Sequence, residues 1–428
     1  MHPTIVEVSI FKKRAKISFL LLKRDGIGKM LIRGNNNMNI LAIIPHFFPH
    51  IGGGETHLYQ LANRLTEKGH KIEILTLKLP GTVAFEKTGN IAIHRFENDS
   101  DLTEQGYADI LNYLKKNEFK DTVLYGYLNV GTSNVRTTLM IEILNIARKK
   151  SIPRVVRITS SGRVTKLLEI FPSGIEELCQ TDYVIALNSG IQKELIDVGV
   201  LRSKIKSISN GVDLQMFFPI PQMQKSIIRS KLGYPTSGRV FFSASRLTPK
   251  KRIPDLICLW DQMRAYPAIK DQTSELWVLG GDHREKLQLQ MYEMLIKQIR
   301  EWKITNIKVI PSVQHKEIPQ YFQSADFYIT LSIEEGMSNA MLEAMATGLI
   351  VIAPATEAVI NIVKDNWNGF LFTPGDLISA KEAMARALET PPGQLEKMSK
   401  RNHKLICTYF NFDIIADSFS ILFNSLSI

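Results

Sequence analysis

Short apolar runs of strand length alternate with stretches of helical periodicity along most of the chain. NILAII (39–44) has strand length and breaks at Pro45. After a glycine-bearing loop, Leu58, Leu61, Ala62 and Leu65 recur at helical spacing until Gly69. KIEILTL follows as a strand, and IAIHRF (91–96), TVLYGY (122–127), RVVRIT (154–159), YVIALN (183–188) and IKSIS (205–209) read the same way, with helical stretches between most of them. The second half repeats the scheme through RVFFSAS, ELWVLGGD (275–282), KVI, ADFYITLS and LIVIA, and it ends on helical periodicity in YFNFDIIADSFSILF. Strands and helices alternating at this spacing predict a doubly wound parallel sheet in each half.

One stretch concentrates the chemistry: SIEEGMSNAMLEAMATGLIVIAPA, residues 332–355. Gly336 breaks the chain, Ser338 or Asn339 can cap a short helix, and Gly348 ends that helix before the next strand. In a parallel sheet, ligands collect beyond the carboxyl ends of the strands, where helix N-termini present unpaired N–H groups to anions. This helix N-terminus is therefore a phosphate seat, with Glu335 beside it and Glu343 in the second turn. The rest of the helix reads Ala340, Met341, Leu342, Ala344, Met345, Ala346, which predicts near-complete burial. A carboxylate on such a helix needs a partner, and ribose hydroxyls suit it. The glycine cluster Gly52, Gly53 and Gly54, between the first strand and first helix, lets backbone N–H groups approach a phosphate or a sugar.

The EEG turn, two glutamates eight positions apart and LEAMATG resemble the signature of the family 4 retaining glycosyltransferases. FPHIGGGETHLYQLANRLTEKGHKIEILT resembles the opening of such enzymes, SISNGVDLQMFFPI their crossing between domains, and NGFLFTPGD a later segment. The resemblance covers residues 39–428. It implies the GT-B fold: two Rossmann-like doubly wound domains facing across a cleft, with a C-terminal helix returning to the N-terminal domain. The divisions it implies are a basic extension over 1–37, an acceptor domain over 38–215, a nucleotide-sugar domain over 216–408 and the returning helix over 409–428. It also implies roles for individual residues. Glu335 would contact the donor sugar or phosphate, Glu343 the nucleotide ribose, and Arg246 and Lys251, in RLTPKKR, the donor pyrophosphate. Gly52, Gly53, Gly54, Gly280, Ser338 and Asn339 would line the donor site, and residues 311–313 would border the base. Cations fixed there would meet the charge that grows as the diphosphate leaves, Arg as a planar fork and Lys as a point charge.

The chain departs from the family pattern at several points. His50 stands where a proline is usual, Ser243 or Ser245 where glycine is frequent, and Glu357 and Ala358 where a glycine pair is common. Many members carry a histidine after the strand equivalent to RVVRIT, but this chain reads TSSGR. Thr159 and Ser160 can hydrogen-bond but hold no charge near neutral pH, and Arg163 is open to reading either as a substrate contact or as a surface arginine.

At 428 residues the chain is too long for one ordinary core. Its net charge is +11, of which the first 37 residues carry +6. Their apolar run 17–22 is too short to span a bilayer, so the segment reads as a membrane-leaning arm or, preferably, as an extension upstream of Met38. The remaining +5, with no groove-reading motif, gives no reason to expect nucleic acid. Cys179, Cys258 and Cys407 lack metal or disulfide spacing, which fits a reducing compartment. No metal-ligand spacing is present, so no metal and no cofactor are expected. The implied reaction moves a sugar, with retention, from a nucleoside diphosphate sugar to a hydroxyl on a glycan, a lipid-linked glycan or a small molecule. A cytoplasmic location follows, with peripheral contact at an anionic inner membrane face left open. The alternative is a catalytically impaired GT-B partner that binds a nucleotide sugar or stabilises another glycosyltransferase.

Overall fold

The computed structural model describes residues 37–50, 52–97, 103–128, 134–233, 238–266, 269, 274–281 and 285–426. The basic extension expected over 1–37 lies outside them apart from Asn37. Among the described residues, eight strands form a first sheet: β1 (Asn39–Ile43), β2 (Lys71–Leu77), β3 (Phe85–Thr88), β4 (Ile91–Phe96), β5 (Thr122–Leu128), β6 (Arg154–Ile158), β7 (Tyr183–Ala186) and β8 (Ile205–Ser207). Their order is β3-β4-β2-β1-β5-β6-β7-β8, parallel except for the antiparallel β3–β4 pair. Six more form a second, parallel sheet: β9 (Arg239–Ala244), β10 (Ser274–Leu279), β11 (Ile307–Ile310), β12 (Phe327–Ile329), β13 (Ile350–Pro354) and β14 (Gly369–Phe372), in the order β11-β10-β9-β12-β13-β14.

The continuous apolar strands follow from having both sheet faces covered. Side chains alternate between faces, so an apolar strand feeds two cores. From β1, Leu41 and Ile43 enter one core while Ile40 and Ala42 enter the other. From β13, Ile350 and Ile352 go one way and Val351 and Ala353 the other.

Strand order reverses between β1 and β5 in the first sheet and between β9 and β12 in the second. Crevices at such switch points hold ligands in open α/β sheets. The loops leaving β1, β9 and β12 contain Gly52–Gly54, Arg246–Lys251 and Glu335, so topology selects the same segments as the motifs.

The chain crosses from one lobe to the other beyond β8 and returns beside its own outgoing path. Val212 N–H donates to Phe410 O (2.7 Å), and Phe412 N–H donates to Val212 O (3.0 Å). The final helix, Phe412–Asn424, then packs on the first lobe. Phe412, Ile415, Ala416, Phe419, Leu422 and Phe423 join the core formed by Leu58, Leu61 and Tyr125. Arg64 to Asp413 (2.7 Å) and Lys68 to Asp417 (2.5 Å) flank this apolar seam. Among the described residues, no helix is long and apolar enough to cross a membrane.

Candidate active site

The helix Asn339–Ala346 leaves the turn after β12. Ser338 is its N-cap, accepting a hydrogen bond from Met341 N–H (3.3 Å). Met341, Leu342, Ala344, Met345 and Ala346 are buried, as their uniform apolarity requires. His403 contacts the Ala346 carbonyl at the other end (2.7 Å). An anchored helix of this kind directs the N–H groups of its first turn and its positive dipole end into the cleft.

Lys251 and Glu335 come together there as an ion pair, Nζ to Oε1. They lie 84 residues apart in sequence, and each is held at the carboxyl end of its sheet. Arg252 turns away to Asp255 (2.6 Å), which resolves the KKR run: its third basic residue faces elsewhere. Lys250 stays at the site; although the residue is exposed, partial desolvation and the repulsion of Lys251, Arg163 and Arg246 lower its pKa against the attraction of Glu335. Arg246 is exposed on the same loop.

Glu343 makes no side-chain hydrogen bond or ion pair among the described residues, and burial pushes its pKa up to about 7. Its charge and that of Glu335 both reach Tyr328 beneath the helix. The described residues thus do not supply the partner that the sequence pattern demanded. An unsatisfied acceptor on the cleft side of a helix is a place for donor hydroxyls.

The first lobe closes directly on this turn. A Cβ on Gly336 would lie 2.2 Å from Thr159 O and 3.0 Å from Ser160 Cα, so TSS, which replaces the expected histidine, packs on the glutamate turn itself. Asn188 Nδ2 donates to Gly336 O (2.6 Å). Asn339 is less open than its motif implied: its Oδ1 accepts from Asn210 Nδ2 (2.6 Å), and its own amide donates to Gly53 O (3.3 Å). Buried Arg157 in turn donates to Asn210 Oδ1. Asn210, read from sequence as a turn residue, is therefore also the hub joining β6, the helix start and the glycine loop. Its asparagine-glycine turn signal gave no hint of that.

The glycines divide by what they do. Gly52 is the N-cap of Gly53–Glu67 and lies against the Glu55 carboxylate, while Gly53 lies against Asn339. A Cβ on Gly54 would meet only ordinary contacts from Ile44 and Tyr127. Gly280 packs tightly. Its N–H donates to Ile310 O (3.0 Å), and a Cβ would stand 2.0 Å from Ser245 O. Gly280 therefore shapes the Arg246 loop by close packing and keeps no free N–H for a ligand.

Sequence reasoning missed a bridge across the cleft mouth. His50 contacts Glu55 on its own lobe and Glu285 on the other, each at 3.5 Å. The adjacent Glu55 carboxylate raises the His50 pKa against burial, and the Glu285 charge adds to it. Burial raises the Glu55 pKa, but His50, a backbone hydrogen bond and Arg246 outweigh it and the net shift is downward. The one signal in the sequence was a histidine at a position where proline is usual.

Among the described residues, no group of three His, Cys, Asp or Glu side chains could hold a metal. Comparison with known proteins joins these observations. The profile "Glycosyltransferase Family 4" matches residues 51–216, and "Glycosyl transferases group 1" matches 224–405. The chain belongs to the family 4 glycosyltransferases. It is 22% identical over 383 residues to alpha-monoglucosyldiacylglycerol synthase of Streptococcus pneumoniae, covering 85% of this chain and 81% of that protein. It is 20% identical over 352 residues to N-acetyl-alpha-D-glucosaminyl L-malate synthase of Bacillus anthracis, covering 80% and 86%. Its fold matches Anabaena HepE in complex with UDP-glucose, with TM-score 0.71, 18% identity, and coverage of 91% of this chain and all of that one. The GT-B architecture and the class of nucleotide-sugar glycosyltransferase agree with the sequence reading. This glycosyltransferase carries its distinguishing residues on the loops, where Thr159 and His50 depart from the pattern.

Proposed function

We propose that the enzyme transfers a hexosyl group from a UDP-sugar to a hydroxyl acceptor with retention of configuration, using neither metal nor cofactor. Arg246, Lys251 and the N-terminus of Asn339–Ala346 hold the diphosphate, Glu335 the sugar and Glu343 the ribose. The observation that carries this reading is the meeting of Lys251 and Glu335 at the β9/β12 switch point, beside a helix N-terminus. Before a donor binds, the two neutralise each other. A diphosphate attracts the Lys251 ammonium and releases the Glu335 carboxylate toward the sugar hydroxyls. Charge that develops on leaving is met by cations already in place, so little reorganisation is needed. The leaving phosphate, on the same face as the incoming hydroxyl, takes its proton.

UDP-glucose is the first donor to test, because a structure of similar fold holds it. The relatives' names point to two kinds of acceptor, a glucosyldiacylglycerol product in one and malate in the other. Of these a lipid or lipid-linked acceptor reached from the membrane surface is proposed, in keeping with the peripheral contact left open by the basic charge. Incubation with UDP-sugars should give slow donor hydrolysis that Lys251→Ala and Glu335→Gln each reduce at least about 100-fold, with circular dichroism unchanged. Hydrolysis at the wild-type rate in both variants would sink the assignment. Thr159 and Ser160, standing where a histidine is usual, favour one second reading, a binding partner that turns nothing over. Tight UDP binding with no hydrolysis of any UDP-sugar and no transfer would establish that reading instead.

A further inference from the structure

Arg157, on β6, is 2% exposed and forms no ion pair with a carboxylate among the described residues. Its guanidinium lies over the Phe419 ring, 5.9 Å from the centroid, and its Nη2 donates to Asn210 Oδ1. An apolar side chain of the same length would fill this place without the cost of taking a charge out of water. What the arginine adds is a hydrogen bond of fixed direction.

A guanidinium only donates and a backbone carbonyl only accepts. Asn210 stands between one of each: Arg157 on β6, and Met337 O in the glutamate turn, which accepts from Asn210 Nδ2 (3.1 Å). The amide therefore has a single permitted orientation, oxygen toward the first lobe and nitrogen toward the second. That nitrogen also donates to Asn339 Oδ1 (2.6 Å), which leaves Asn339 Nδ2 to donate to Gly53 O (3.3 Å). The direction set at Arg157 thus runs through Asn210 into the second lobe and back through Asn339 to the glycine loop of the first. Turning Asn210 over would set its oxygen against both Met337 O and Asn339 Oδ1. Asn339 opens the helix whose N-terminus is the diphosphate seat on the reading above, so the chain of hydrogen bonds aligns the two donor-facing segments with each other.

We propose that Arg157 is a positioning residue: by fixing the Asn210 amide it sets the N-terminus of Asn339–Ala346 against the Gly53 loop in the register that sugar transfer requires. Its guanidinium is buried, so it acts through Asn210 and not on the donor. The proposal rests on the glycosyltransferase reading of the cleft and adds to it a residue from the interior of the first lobe. Lys251, Glu335 and Glu343 all belong to the second lobe. Losing the register therefore leaves UDP its seat and removes the alignment of the first lobe over the sugar.

The test follows hydrolysis of UDP-sugars by the full-length protein, with UDP affinity by calorimetry and the unfolding temperature measured for each variant. Arg157→Met keeps the length and loses the donor, and it should cut the rate at least about 10-fold while UDP affinity stays within about twofold. Arg157→Lys retains a group that only donates and should recover most of the rate. In an Asn210→Ala background Arg157→Met should cost nothing further, since its effect passes through that amide. Asn339→Ala cuts the chain of hydrogen bonds outside the core. It should slow hydrolysis by a similar factor with UDP affinity kept and the unfolding temperature little changed, so the test stands even if Arg157→Met fails to fold. A wild-type rate in Arg157→Met or Asn339→Ala, losses that add in the double variant, or an Arg157→Lys no faster than Arg157→Met each overturns the proposal alone. A fall in UDP affinity parallel to the fall in rate also overturns it, because Arg157 would then support the donor seat itself. A wild type that binds no UDP, or binds it and hydrolyses no UDP-sugar, overturns the enzymatic reading and the proposal with it.

Discussion

Glu343 is legible in sequence as a contradiction: one acid on an otherwise apolar helix must be either paired or functional. Among the described residues it has no side-chain hydrogen bond or ion pair, and burial pushes its pKa up to about 7, so in the ligand-free protein its charge is a liability. The sign follows from linkage. A carboxylate raised above its ordinary 4.5 binds more protons folded than unfolded, so the stability it contributes is lost as pH rises from about 4.5 through about 7. Glu343→Gln removes that penalty. At pH 8 the ligand-free variant should unfold at a higher temperature, gaining about 2 kcal/mol less whatever cleft water screens, while UDP affinity falls about 10-fold for want of the carboxylate acceptor. Thermal unfolding with and without UDP reads both effects. A variant less stable than wild type at pH 8, or one with undiminished UDP affinity, would contradict the ribose assignment. Asn210 shows the opposite limit of sequence reading. Its turn is visible in the sequence, but its contacts to residues 53 and 129 positions away have no local signature.

At the scale of elements, most strands announced themselves, because both sheet faces are covered and their residues are apolar throughout. β3 did not. All four of its residues are exposed, so it has neither apolar continuity nor alternation and exists through its antiparallel pairing with β4 at the sheet edge. The turn–helix unit after β12 was readable from its glycines, its cap and its apolar run, whereas its docking on the other lobe was not. That docking depends on Gly336. A Cβ there would collide with the backbone carbonyl of Thr159, 2.2 Å away, and no rotamer change relieves a clash with main chain. Gly336→Ala should therefore push the lobes apart at the glutamate turn while leaving each lobe's core intact. An error of about 1 Å in alignment costs on the order of 100-fold in rate. Donor hydrolysis should fall by about that factor with little change in unfolding temperature, and steady-state kinetics beside calorimetry would show it. Wild-type kinetics in this variant would mean that the packing between the lobes is not part of the working geometry.

On the whole-molecule scale, the two lobes meet through the returning helix, through Asn188 and Asn210, and at the mouth of the cleft through His50. The first is an apolar seam flanked by ion pairs, and the imidazoles against it, His57 and His70, have pKa values lowered by burial, so it has less reason to respond to pH above neutrality. The last does. His50 lies between Glu55 and Glu285, with Arg246 and the His46 ring also facing it, the two ring centroids being 5.1 Å apart. Its pKa is raised, chiefly by the adjacent Glu55 carboxylate. A raised histidine contributes its full stability below the ordinary 6.5 and loses it as pH climbs through the folded value. The contact with Glu285 is thus strongest in mildly acid solution and weakens above neutrality, where a neutral imidazole no longer attracts the second carboxylate. Without ligand, the radius of gyration from small-angle scattering should increase between about pH 6 and pH 8. His50→Gln should show the more open value throughout. His57, His70 and His315 have pKa values lowered from the ordinary 6.5 by burial, and the His50→Gln variant, which keeps all three, separates their contribution from that of His50. Glu343 does ionise within the window, and the control is Glu343→Gln, which should retain the pH-dependent opening because that residue lies inside the cleft and not at its mouth. Scattering that is invariant with pH in the wild type, or an opening that survives in His50→Gln, would show that His50 does not control closure and that the returning helix and the buried asparagine contacts hold the lobes without it.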